Sequence, residues 1–204
     1  MPPAPGLAQL ISLACHDLRT PLATVAGFAS TLTRDGGLGE QHARYVGIIE
    51  AAAAQLGELV DELALVARIE SDRYDPLIET TDTLRLARDA AERLGGDRAG
   101  SAGEGRDVEV ELQATVRALA ALARAALRHG GLERVELVAA GTDVTIAPVS
   151  PQAAPVVLAE DLRDLGAAVA LRLLHALDCS VRLEGDRLRI SFPATGGAST
   201  GDGP

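Results

Sequence analysis

The chain has 204 residues, 47% of them apolar and 2% aromatic, and its 19 basic residues, all arginine, face 29 acidic ones for a net charge of −10. That length holds one or two domains, and the apolar fraction supports a packed core and excludes wholesale disorder. The acidic balance, the missing lysines and the scarcity of aromatic rings exclude a nucleic-acid groove, which needs phosphate-neutralising cations and stacking surfaces.

Cys15 and Cys179 make no disulfide framework and read as small buried hydrophobes. No apolar run reaches the roughly 18 residues of a membrane span. The opening MPPAPGLAQL lacks the basic region of a signal peptide. A cytoplasmic protein without membrane contact is expected.

Residues 6–34 place Leu7, Ile11, Ala14, Leu18, Leu22, Val25, Ala29 and Leu32 at spacings of three and four, which predicts one long helix with a single apolar stripe. Pro21 inside the pattern predicts a kink. The sequence DGGLG at 35–39 breaks it. Residues 40–72 predict a second helix on Val46, Ile49, Ala53, Leu56, Val60, Leu63 and Ala67, with Glu50, Glu58, Asp61 and Glu70 off the stripe. Two helices of about 40 Å joined by a short connection form an antiparallel hairpin. A lone hairpin leaves apolar surface wet, so a homodimer that closes a four-helix bundle is expected for residues 1–75.

After Asp75-Pro76 the texture changes. A strand over 77–82 and a helix over 83–94 precede GGDRAGSAGEGR (95–106), which reads as mobile and low in complexity. Period-two alternation predicts a strand at 107–112, and an alanine- and leucine-rich helix at 114–129 stops at Gly130-Gly131. Two strands meet around Ala140-Gly141. An irregular, proline-marked loop spans 148–160, a helix 161–177, and a closing hairpin ends the fold. Residues 76–194 are an α/β sandwich, so the fold class is α+β. Residues 195–204 read as a disordered tail.

The stretch that carries chemistry is Cys15-His16-Asp17-Leu18-Arg19-Thr20-Pro21-Leu22. On a helix His16 and Thr20 share a face, continued by the small residues Ala23 and Gly27. His16 lies off the apolar stripe, beside a shallow strip open to a bulky phosphoryl donor or acceptor. Asp17 can hold the proton of one ring nitrogen, which leaves the other a better nucleophile. An ordinary surface histidine fits the same position. His42, His129 and His175 show no metal spacing, and no metal site is expected.

His16-Asp17-Leu18-Arg19-Thr20-Pro21-Leu22 resembles the H-box of two-component sensor histidine kinases. Residues 43–71 resemble that family's second helix, and the element order from 77 to 193 resembles its Bergerat-type ATP-binding domain. The resemblance implies that His16 accepts the phosphoryl group and that Asp17 is its acid–base partner. Thr20 would place a water for dephosphorylating a response regulator. Arg19, with Ala23 and Gly27 on the docking strip, would meet the partner or remain a solvated cation. The nucleotide site departs from the family. Ala121 and Ala125 stand where asparagines hold Mg²⁺, and alanine supplies no oxygen ligand. Pro148 stands where an aspartate recognises adenine. Gly166 keeps one member of a glycine pair, with Asp164 in place of the other. The 18 positions from Pro148 to Gly166 leave little room for a lid.

These departures imply a domain that keeps the fold without binding ATP. The expected function is a histidine phosphotransferase relaying phosphoryl groups between His16 and an aspartate on a response-regulator receiver domain. No cofactor is expected on this chain, the receiver supplying Mg²⁺. An upstream histidine kinase is a further expected partner, and input would come from a separate protein or from a region outside this sequence. The alternatives are a response-regulator phosphatase using Asp17 and Thr20, a pseudokinase module that binds a true kinase, and, last, an active kinase.

Overall fold

A computed structural model describes residues 7–35 and 37–193. It divides after Tyr74 into two compact units. The expected tail at 195–204 lies outside the described residues.

The first unit is α1 (Leu7–Asp35) and α2 (Glu40–Glu70). Pro21 falls inside α1, which runs through it without interruption. Cys15 and Ala29 of α1 are buried against Val46, Ala53, Val60 and Ala67, which recur every seven residues on α2. Small residues at these positions let the two backbones approach closely. Arg19 donates to Asp61 at 2.7 Å and Ser30 to Glu50 at 2.9 Å, so eleven residues forward on α1 correspond to eleven back on α2.

The single stripe expected on each helix is in fact two rows. The inner row closes the hairpin. The outer row, with Leu18, Val25, Phe28 and Leu32 on α1 and Tyr45, Ile48, Ile49 and Leu56 on α2, is exposed. Spacings of three and four cannot separate the rows, because a 3.6-residue period spreads such positions over a wide arc.

The second unit contains β1 (Glu79–Asp82), α3 (Thr83–Leu94), β2 (Ala99–Gly105), β3 (Asp107–Val110) and α4 (Leu112–Gly130), then β4 (Val135–Gly141), β5 (Asp143–Ala147), α5 (Ala154–Val157), α6 (Leu165–Ala176), β6 (Ser180–Glu184) and β7 (Arg187–Ser191). β1 and β3 pair as an antiparallel ribbon, with Leu77 and Ile78 outside it. The main sheet has the order β2-β4-β5-β7-β6, with β2 parallel to β4 and the other neighbours antiparallel. Alternate sheet residues Leu137, Ile146, Leu188 and Ile190 are fully buried, as are Leu86, Leu119, Leu122 and Leu174 of the helices. Local signals fix the helix ends. The Asp82 carboxylate accepts from the backbone N–H of Leu84 and Arg85, and Gly131 stops α4 at a left-handed φ of 61°.

Three expectations for this unit need correction. The segment read as mobile contains β2, a strand paired along its length with β4. Its glycine, alanine and serine residues carry little strand propensity. Gly103 sits at φ 102°, and a Cβ there would run into the Ala139 carbonyl oxygen, so this residue lets the backbones meet. The segment read as irregular at 148–160 contains the helical turn α5 and buries Val149, Ala153, Val156 and Val157. The helix expected from residue 161 begins at Leu165.

Replacing Leu119 with alanine is expected to lower stability by about 2–5 kcal/mol, read as a lower urea midpoint with an unchanged slope. Both cysteines are free and buried. Burial first, and the Asp178 charge second, push the Cys179 thiol from 9.0 up to about 12. The unfolded chain therefore releases this proton at lower pH than the folded one. The contribution is fully present below pH 9.0 and is lost as pH rises towards about 12. In Cys179→Ala, the fall in melting temperature above pH 9.0 should be shallower than in the parent.

Candidate functional site

α1 presents His16 to solvent, its side chain 79% exposed beside Asp17 at 69%. His16 Nδ1 lies 3.1 Å from Asp17 Oδ1. With the proton on Nδ1, the ring donates to Asp17, and Nε2 keeps its lone pair facing away from that bond. An ion pair this exposed adds little stability, so its consequence is the orientation of the ring.

Thr20, Ala23 and Gly27 are all exposed along α1. A Cβ at Gly27 would touch nothing within 4 Å. Thr24 and Thr31 direct their hydroxyls to backbone carbonyls of α1, whereas the Thr20 hydroxyl forms no hydrogen bond among the described residues. Arg19 turns across the hairpin to Asp61. The strip is thus bordered by the Arg19–Asp61 and Ser30–Glu50 contacts, and the exposed apolar row lies elsewhere on α1. Asp61, Glu50 and Ser30 were not among the sequence candidates. The off-stripe position of Asp61 was visible, but its pairing depends on the hairpin register.

The positions matched to a nucleotide site all fall in the second unit. Ala125 is fully buried in α4 and Ala121 is half-buried one turn earlier. Pro148 follows β5 through a cis peptide and is exposed. Gly166 is the second residue of α6. The short stretch between them folds inward, and α5 packs against both α4 and α6 with its valines buried.

Asp164 caps α6 by accepting from the Ala167 N–H at 3.1 Å. Its other carboxylate oxygen lies 3.0 Å from His129 Nε2 and 3.6 Å from Arg128 Nη1. Helix N-termini attract phosphate because their N–H groups are unpaired. Here an internal carboxylate satisfies that end and draws in the two basic groups beside it.

Among the described residues no group of three or more His, Cys, Asp or Glu could hold a metal ion. Nor is any described helix long and apolar enough to cross a membrane.

Residues 7–72 match the His Kinase A (phospho-acceptor) domain. Sensor protein DivL of Caulobacter vibrioides is 33% identical over 78 residues, which cover 38% of this chain and 10% of that protein. The probable sensor histidine kinase TcrY of Mycobacterium tuberculosis is 36% identical over 83 residues, covering 40% of this chain and 17% of that one. The chain therefore spans less than a fifth of the length of these curated relatives. In fold, it is similar to full-length ShkA in complex with AMPPNP, with a TM-score of 0.65 at 21% identity over 92% of this chain and 47% of that one. It is also similar to the histidine kinase AdeS of Acinetobacter baumannii, with a TM-score of 0.56 at 16% identity over 88% of this chain and 98% of that one. Over residues 7–72 the chain is thus similar to the His Kinase A (phospho-acceptor) domain, and its helical hairpin and α/β unit have folds like those of ShkA and the histidine kinase AdeS.

Proposed function

We propose that this chain is a phosphotransfer protein of two-component signalling, exchanging a phosphoryl group between His16 and a response-regulator aspartate without binding ATP. The observation that carries this reading is the exposed His16 ring, oriented through Nδ1 by Asp17 beside an open strip. In transfer to this chain, His16 Nε2 attacks the phosphorus of the acyl phosphate. The N–P bond forms as the P–O bond to the aspartate breaks, and the carboxylate leaves as an anion. The Nδ1 proton stays on the ring, and Asp17 stabilises the charge that develops there. The receiver domain brings the Mg²⁺ that the reaction needs.

The absence of ATP binding is supported by three features of the second unit. Ala121 and Ala125 offer no oxygen ligand for Mg²⁺. Valines of the short connection occupy the space beside α4 and α6. Asp164 places a negative charge where a phosphate would enter.

A receiver domain carrying a labelled aspartyl phosphate tests the relay. Label should move to this protein and form an acid-labile, base-stable linkage. A second reading rests on the unbonded Thr20 hydroxyl one turn from His16, which could place a water against the aspartyl phosphate. In that case free phosphate appears without labelled protein, and Thr20→Ala abolishes its release.

We also propose that two copies pair through the exposed apolar row of the hairpin. Eight large apolar side chains on one small unit exceed the scattered exposure usual in monomers.

A further inference from the structure

α4 contains no aspartate or glutamate, although the chain carries a net charge of −10. Its exposed residues are Gln113, Arg117, Arg124 and Arg128, and every other described position is buried or half-buried. Arg117, Arg124 and Arg128 fall on one face, about 16 Å from end to end at 1.5 Å per residue. The half-buried Ala121 lies between them as a low point in the ridge. Arg128 approaches Asp164 at 3.6 Å, whereas Arg117 and Arg124 form no ion pair or hydrogen bond among the described residues. Like charges one turn apart weaken a helix, and the abundant carboxylates of this chain have not been used to neutralise them.

We propose that this solvent face of α4 is a docking ridge for an acidic segment of a protein partner. Arginine forks engage carboxylates in two parallel hydrogen bonds, and three of them along one helix fit carboxylates spaced along a helix or strand. Other anionic partners fit less well. The ridge is convex, with no enclosure to strip water from a small phosphate ligand. It has no exposed apolar side chain to enter a lipid surface and no aromatic ring to stack on a base. This inference is independent of the chemistry at His16.

The test titrates the full chain with an oligo-glutamate peptide at about 50 mM salt, where surface charges are weakly screened. Three variants accompany it: Arg117→Glu with Arg124→Glu, the milder Arg117→Gln with Arg124→Gln, and Arg182→Glu with Arg187→Glu. The last pair makes the same charge change on the open sheet face, away from the ridge. The expected result is peptide binding that weakens as salt rises. It should be at least about tenfold weaker in the glutamate ridge variant, weaker to a lesser degree in the glutamine one, and within about twofold of the parent in the sheet control. Amide resonances of α4 should move on titration. The proposal is overturned if the peptide does not bind, or if the sheet control loses as much affinity as the ridge variant. It is also overturned if phosphatidylserine vesicles, tripolyphosphate or a DNA oligonucleotide binds the ridge in preference to the peptide.

Discussion

His16→Gln should accept no label from a phosphorylated receiver domain, a loss of at least about a thousandfold, because the nucleophile itself is removed. Glutamine keeps an exposed polar side chain on a helix surface, so the fold and the melting temperature should be unchanged. Asp17→Asn retains size and hydrogen-bonding capacity but loses the charge that faces Nδ1. Transfer should slow by about a hundredfold, the low end for a positioned acid–base group in so exposed a site. A variant at His42, which is exposed on α2 outside the strip, should transfer at the parent rate. Label retained in His16→Gln would place the acceptor elsewhere and end the reading of α1 as the phosphotransfer helix.

Val25 and Leu56 are 49% and 53% exposed on the outer rows of α1 and α2. Changing both to glutamate would put charges into the proposed interface without compensating partners, a cost of several kcal/mol per buried ion. Sedimentation at about 10 µM, a concentration at which a micromolar dimer is mostly assembled, should show the parent as a dimer and the double variant as a folded monomer. A parent chain that sediments as a monomer would remove the four-helix bundle. It would leave the exposed apolar row in need of another occupant.

What the sequence made legible follows from the range of each interaction. His16, Asp17, Thr20, Ala23 and Gly27 lie on one helix, so spacing alone places them on neighbouring positions. The helices and most strands announce themselves by period and by end signals such as Asp82 and Gly131. Non-local pairings left no such trace. β2 is a strand because β4 supplies its partners and Gly103 admits close approach, and nothing in its own composition says so. The inner and outer rows of the hairpin differ only through the register that Arg19–Asp61 and Ser30–Glu50 report. Asp164 reads in sequence as a lost glycine. Only the fold brings it to His129, 35 residues earlier, and shows a carboxylate standing at the helix end. The missing oxygen ligands at Ala121 and Ala125 were visible as residue types, whereas the inward packing of Val156 and Val157 was not.

In the proposed relay, phosphoryl groups pass through His16 without ATP. Calorimetric titration of the full chain with a non-hydrolysable ATP analogue, with and without Mg²⁺, decides whether the second unit binds nucleotide. No saturable heat is expected at analogue concentrations up to about 1 mM, which corresponds to binding weaker than about −4 kcal/mol. Saturable, Mg²⁺-dependent binding in the micromolar range would overturn the ATP-independent relay and make the second unit a nucleotide-binding domain.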